Sequence, residues 1–299
     1  MDSAAVVFPH QLFYDHPCLQ RDRIIYLVED PWFFRDPANL IKFHRQKLVL
    51  HRASMQAYRD LLQSRGYLVR YVEFTQEMRP GYLFDRLRED GVSEIVTCQP
   101  VERRLTERLS REAGAGGMKV NFLATPMFLC SEEDIGDFFQ GKAKFHQTSF
   151  YIFQRRRWDI LLENGKPLGG RWTYDPLNRR KLPRGIKVPS WPDLGNEPHV
   201  AKARDYVTRK FPEHPGETSQ FIYPVTHEAA QKWLENFLTY RLGNFGDYQD
   251  AISAREPYLF HSLLSPQLNI GLLTPKQVLE ATLAFARAHP VPLNSLEGL

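Results

Sequence analysis

RIIYLVED, residues 23–30, is a run of aliphatic and aromatic residues that ends in two carboxylates. An uninterrupted apolar stretch of this length fits a strand buried on both faces, the habit of parallel sheets. Upstream, AAVVFPHQ (4–11) has the same form and ends in Pro9, His10 and Gln11. Downstream, YLVRYVEF (67–74), EIVTC (94–98) and KVNFL (119–123) repeat it. Between the second and third of these runs, Asn39 to Arg65 lacks Gly and Pro and carries Ile41, Leu48, Met55, Tyr58 and Leu62 at helical spacing. Gly66 follows as a C-cap. Further helices are expected at Tyr82–Asp90 and Glu102–Ala113. The alternation predicts an α/β fold, a five-stranded parallel sheet with helices on both faces. Ligands of such sheets bind at the carboxyl edge, where this chain supplies Pro9, His10, Gln11, Glu29 and Asp30. No GxGxxG or Walker loop follows any strand, which argues against a standard dinucleotide or P-loop enzyme.

The texture changes at Ser131, which pairs with Asp134 as an N-cap; a helix is expected within Ser149–Glu163. Residues 164–224 are proline-rich without long periodicity and read as an extended connector. Thr226 then caps a helix with Trp233, Leu234, Phe237 and Leu238 on one stripe and Gly243 at its end. Thr274, Pro275 and Gln277 open a last helix that Pro290 stops. The expected division is an α/β domain over 1–130, a helix plus connector over 131–224, and a helical segment over 225–299.

A chain of 299 residues has room for two cores, and 42% apolar with 25% charged residues is ordinary for a soluble protein. No window has the apolar length of a membrane span, and the N-terminus lacks a basic leader, so a cytoplasmic location is expected. Cys18, Cys98 and Cys130 are too far apart in sequence for a zinc finger and read as small core residues; no metal is expected. His44 and His51, seven apart on one helix, read as packed or hydrogen-bonded side chains rather than ligands. The net charge is +4, and the Arg155–Arg157 run reads as a solvated face. Trp158, Trp172 and Trp233 read as packing residues.

HSLLSPQLNIGLLTP, residues 261–275, places Ser262, Leu264 and Ser265 at the start of a helix opened by Pro266, a position receptive to phosphate. The pattern SxLSPxLxxGxL[ST]P resembles the flavin-phosphate segment of photolyases and cryptochromes. FGDYQDAI (245–252), EPYLFHSLLSP (256–266), GGRWTYDPLNR (169–179), FPHQL and LVED resemble more specifically the prokaryotic photolyase-related branch, whose members carry an iron–sulfur cluster.

The resemblance implies a Rossmann-like antenna domain followed by a connector and the first part of an all-helical FAD domain. It places Ser262, Leu264, Ser265 and Tyr248 on the phosphate side of FAD, and Gln11 and Glu29 beside an antenna chromophore, a ribityl lumazine in related proteins. In the family, NSxEG is followed by the flavin pocket, the electron-transfer tryptophans and four cluster cysteines. This chain ends in NSLEGL, so a C-terminally truncated member is expected, with no catalytic residue, no iron–sulfur cluster, and weak or absent FAD binding alone. The parent function implied is light-driven DNA repair, including that of (6-4) photoproducts, or photoreception, with damaged DNA as partner. Apolar side chains after Val225 are expected to be exposed and to favour self-association or a partner. Two alternatives stay open: a non-catalytic chromophore-binding or interaction module, and an unrelated nucleotide-binding α/β protein.

Overall fold

The computed structural model describes residues 2–35, 41–79, 81–194 and 198–299, and it divides into two compact units. The first comprises Met1–Met127, Asp193–Gln231 and Pro266–Thr274. The second comprises Phe128–Pro192, Lys232–Ser265 and Pro275–Leu299.

The first unit holds β1 (Ser3–Val7), β2 (Ile24–Val28), α1 (Pro31–Phe34), α2 (Arg45–Ser64), β3 (Val69–Val72), α3 (Tyr82–Glu89), β4 (Glu94–Cys98), α4 (Arg103–Ala115) and β5 (Lys119–Leu123). The strands make one sheet in the order β3-β2-β1-β4-β5, with every pairing parallel. Ala4 to Val7 and Ile25 to Val28 are fully buried, as continuous apolar runs require when helices cover both faces. The order reverses between β1 and β4, which sets the topological switch point at their carboxyl ends.

Two elements differ from expectation. Of the helix expected from Asn39, residues 39 and 40 lie outside the described residues, and α2 starts only at Arg45. His44, extended at φ −61° and ψ 135°, is its N-cap: Nδ1 accepts the Gln46 N–H at 3.2 Å. His44 is thus hydrogen-bonded, as one of the two expected roles had it, but at the start of the helix and not within it. Within the expected connector lies α7 (Pro198–Lys210), which packs along α2 and buries Ala203, Tyr206 and Val207. Its apolar spacing is helical, but the prolines around it hide the period.

The described residues of the second unit form helices, irregular stretches and one two-stranded hairpin, β6 (Leu162–Glu163) with β7 (Lys166–Pro167). Ser131 and Asp134 form the expected capping box on α5 (Glu132–Phe139), which is followed by α6 (Gln147–Arg157). Arg155, read as part of a solvated run, is buried and clamps the carbonyls of Ile160, Leu161 and Trp172. α8 (His227–Tyr240) begins in the first unit, where Thr226 Oγ1 accepts the Ala229 N–H at 3.2 Å. It ends at Tyr240, and Gly243 lies inside the next short helix, α9 (Leu242–Phe245), rather than at a terminus.

α10 (Ser265–Ile270), α11 (Pro275–Ala288) and α12 (Leu293–Gly298) complete the chain, and the described residues after Thr226 contain no strand. Glu297 locks α12 in place by accepting from Tyr151 Oη (3.0 Å), Thr173 Oγ1 (3.3 Å) and the Tyr174 N–H (2.8 Å). The apolar residues after Val225 are largely buried, contrary to the expected exposure. Trp233, Leu234, Phe237 and Leu242 are covered, and Tyr240, Ile252 and Leu299 are the exposed large ones. Part of the reason is local: Trp233 stacks flat on Trp191 at 4.2 Å, with the Arg241 guanidinium 3.6 Å over the Trp191 ring. Among the described residues no helix is long and apolar enough to cross a membrane.

Candidate functional site

At the carboxyl edge of the sheet, Gln11 and Glu29 are both buried and both engaged by the protein itself. Gln11 Oε1 accepts the Phe8 N–H at 3.2 Å, and Nε2 donates to the Cys98 carbonyl at 2.7 Å, so the side chain bridges the ends of β1 and β4. Glu29 accepts from Arg52 (2.9 and 3.0 Å), Tyr71 Oη (2.5 Å) and the Phe74 N–H (2.9 Å). Beside it, Asp30 caps α1 through the Trp32 N–H at 3.0 Å and pairs with Arg108 at 2.5 Å. These side chains brace the edge; their polar atoms are spent on neighbours.

The unspent polar atoms at this edge belong to other residues. His10 and His51 are buried, and none of their four ring nitrogens has a hydrogen-bond partner. Phe33 joins them, stacked on His10 at 4.9 Å and edge-on to His51 at 5.6 Å. Burial pushes both imidazoles down to about 3, with Lys47 adding to the effect at His51. Both are therefore neutral at physiological pH, each offering one donor and one acceptor. Glu102 Oε2, also buried and unpartnered, lies 3.6 Å from His10 Nε2; with His10 neutral this is no ion pair. Five buried polar atoms at this edge thus lack hydrogen-bond partners. His10 was legible as a strand-end residue. His51 and Glu102 reach the same edge only through the fold.

In the second unit, segment 262–265 enters α10 with Leu264 buried, Ser262 half-buried and Ser265 exposed. Ser262 is held from both ends: its carbonyl accepts Trp233 Nε1–H at 3.1 Å, and its Oγ lies 3.5 Å from the Leu264 amide nitrogen. Leu263 between them has φ +50°, and Leu259 just upstream has φ +44°. The left-handed region is costly for a branched side chain, and such strain gathers where a backbone is held for binding. Tyr248 packs its ring against Phe260, 5.6 Å between centroids, which ties it to the turn before the segment. The hydroxyls of Ser262 and Ser265 are of a type that donates to phosphate oxygens.

A separate cavity of about 690 Å³ between β3 and α3 is lined by Tyr26, Arg70, Tyr71, Tyr82 and Arg86, among others. Its arginines are paired within the protein, Arg70 and Arg86 with the one carboxylate of Asp90 and Arg79 with Asp85, and Gln11 and His10 do not line it.

Comparison with known proteins bears on this arrangement. A (6-4) photolyase of Agrobacterium fabrum (strain C58 / ATCC 33970) is 29% identical over 265 residues, covering 87% of this chain and 52% of that protein. The chain thus spans about half the length of that relative. Uncharacterized protein R852 of Acanthamoeba polyphaga mimivirus is 32% identical over 199 residues, covering 63% of this chain and 99% of that protein. A bacterial class III photolyase from Agrobacterium tumefaciens superposes with a TM-score of 0.51 at 15% identity, covering 100% of this chain and 56% of its own; this shows shared fold alone. The profile of deoxyribodipyrimidine photo-lyase-related proteins matches residues 5–223, which takes in the sheet from Ala5 of β1 onward and α7. This chain belongs to the deoxyribodipyrimidine photo-lyase-related protein family.

Proposed function

We infer that the chain is the chromophore-bearing part of a photolyase-related flavoprotein whose parent activity is light-driven repair of DNA. Segment 262–265 takes the phosphate side of FAD, and the carboxyl edge of the sheet takes a second chromophore of the ribityl-lumazine class. Bound flavin would supply one-electron chemistry under light. The chain's own contribution is to hold: the Ser262 and Ser265 hydroxyls donate to phosphate oxygens, with Leu264 and Tyr248 fixing the segment.

The observation that carries this reading is the left-handed Leu263 directly after Ser262 in a segment that matches the flavin-phosphate pattern. For the antenna, support comes from the unpartnered nitrogens of His10 and His51 and from Glu102, which can bond the carbonyls, ring nitrogens and ribityl hydroxyls of such a ligand. Gln11 and Glu29 support that site from behind by fixing the strand ends.

The test is flavin affinity. Hydrogen bonds to an ionised phosphate contribute about 1.5 to 3 kcal/mol each. Ser262→Ala and Ser265→Ala should therefore each weaken FAD binding about tenfold or more. Unchanged FAD affinity in the double variant removes the phosphate assignment. A second reading, an interaction module, draws on the loops beside α5, where Phe145, between α5 and α6, is 73% exposed and Phe128, before α5, is 55% exposed. Self-association in light scattering that Phe145→Ser abolishes would favour it.

A further inference from the structure

Cys18 and Cys98 are eighty residues apart in sequence and adjacent in space, with Sγ atoms 3.8 Å apart. Cys98 ends β4, and Cys18 sits in the irregular loop between β1 and β2. His16 completes the cluster: its Nε2 lies 4.0 Å from Cys98 Sγ, and all three residues are buried. We propose that Cys18 and Cys98 are a redox-active dithiol, which hydrogen peroxide converts to an intramolecular disulfide with His16 as the positioning residue.

Three groups within 4.8 Å would also suggest a metal ion, but the hydrogen bonding of His16 speaks against it. Its Nδ1 accepts the Cys18 backbone N–H at 3.1 Å. The neutral ring therefore carries its proton on Nε2, the nitrogen that faces the sulfurs. A metal bound through Nε2 needs the opposite tautomer, with Nδ1 donating to an acceptor. An Nε2–H directed at sulfur instead stabilises a thiolate.

The two thiols are not equivalent. Cys18 is held below the ordinary thiol range, first by the hydrogen bond from the Cys98 S–H, which outweighs burial, and then by His16 and Arg23. Arg23 Nη1 donates to the Cys18 carbonyl at 3.1 Å, which places its positive charge nearby. Cys98 is pushed up by the same partner and stays protonated. The Arg23 cation beside Cys18 makes that thiol the nucleophile and Cys98 the resolving thiol.

In the first step the Cys18 thiolate attacks one peroxide oxygen. The S–O bond forms, the O–O bond breaks, and the departing hydroxide takes a proton from solvent to leave as water, giving the Cys18 sulfenic acid. In the second, Cys98 attacks the Cys18 sulfur. The S–S bond forms, the S–O bond breaks, and the Cys98 proton leaves with the hydroxide as a second water. Two thiols lose two electrons and one peroxide gains them. Burial of both sulfurs restricts the oxidant to a small molecule. The product ties the loop after β1 to the end of β4, where Gln11 already bridges the same strands.

The experiment uses the full chain with Cys130→Ala, leaving Cys18 and Cys98 as its thiols. The folded, reduced protein is treated with hydrogen peroxide, quenched, unfolded, alkylated with iodoacetamide and weighed intact, with far-UV circular dichroism recorded alongside. The expected product is a monomer lighter by two hydrogens, with no alkyl group added, and dithiothreitol restores both alkylation sites. In the otherwise unaltered chain, Cys98→Ser should stop at a Cys18 sulfenic acid that dimedone traps. His16→Asn should move the pH midpoint of the oxidation rate upward while leaving the dichroism unchanged, an effect that packing alone would not produce. Two alkylatable thiols after peroxide treatment, a disulfide-linked dimer, or stoichiometric zinc or copper in the purified protein would overturn the proposal.

Discussion

Arg52 Nη1 donates to both carboxylate oxygens of Glu29, at 3.0 and 2.9 Å, while its Nη2 donates to Glu73 at 2.9 Å. The pair fixes α2 to the carboxyl end of β2. The same guanidinium lies 3.4 Å over the Tyr206 ring, so one side chain joins the sheet edge, α2 and α7.

Arg52→Met leaves Glu29 buried with Tyr71 and the Phe74 N–H but no cation. Breaking a buried pair by removing one partner costs about 3–5 kcal/mol, so the chain should unfold at clearly lower urea than its parent. Glu29→Leu combined with Arg52→Met removes both charges and should recover much of the loss. Additive losses in that cycle would mean that the two side chains act independently.

Burial of His10 and His51 predicts an acid-sensitive fold. Each imidazole titrates near 3 when folded, against an ordinary value of 6.5. Above pH 6.5 both states are neutral and stability is fully present. As pH falls through 6.5 toward 3, the unfolded chain takes up protons that the folded chain refuses, and stability is lost. At pH 5 the loss is about 2 kcal/mol for each histidine. Chemical denaturation between pH 7 and 5 should show the decline, and His51→Leu should flatten it by close to one proton. An unchanged slope in that variant would place the acid sensitivity elsewhere.

Gly271 has φ +82°, and a Cβ there would meet the Phe13 ring at 2.8 Å and the Leu12 nitrogen at 3.0 Å. The Leu12 N–H also donates to the neighbouring Ile270 carbonyl at 2.9 Å, so the backbone cannot withdraw without losing that bond. Gly271→Ala should cost about 1–3 kcal/mol, seen as a lower melting temperature. A melting temperature equal to that of the parent would show that this contact relaxes freely.

The sheet was legible because its strands are defined locally. Glu94–Cys98 and Lys119–Leu123 form over the expected residues, and the capping box at Ser131 needs partners only three residues away. α7 was not legible, since its buried stripe of Ala203, Tyr206 and Val207 is short and flanked by prolines. At the edge of the sheet, Gln11 and Glu29 stood in the expected place, but their roles depend on partners far along the chain, Cys98 for one and Arg52, Tyr71 and Phe74 for the other. The contact between Cys18 and Cys98 is likewise a product of the fold, because spacing alone separates them by eighty residues. Around Ser262 the residue types were readable and the left-handed turn at Leu263 was not, since leucine carries no local preference for it.

The most direct test of a phosphate-side flavin site is the order of affinities for FAD and riboflavin, measured on the 299-residue chain by ligand-observed NMR at concentrations up to about millimolar. Both ligands share the isoalloxazine ring, and FAD alone carries the diphosphate that Ser262 and Ser265 are proposed to hold. FAD is expected to bind weakly but measurably, at least tenfold tighter than riboflavin, with the preference lost in the Ser262→Ala, Ser265→Ala double variant. Equal affinity for the two ligands, or a preference that survives both substitutions, would contradict that expectation.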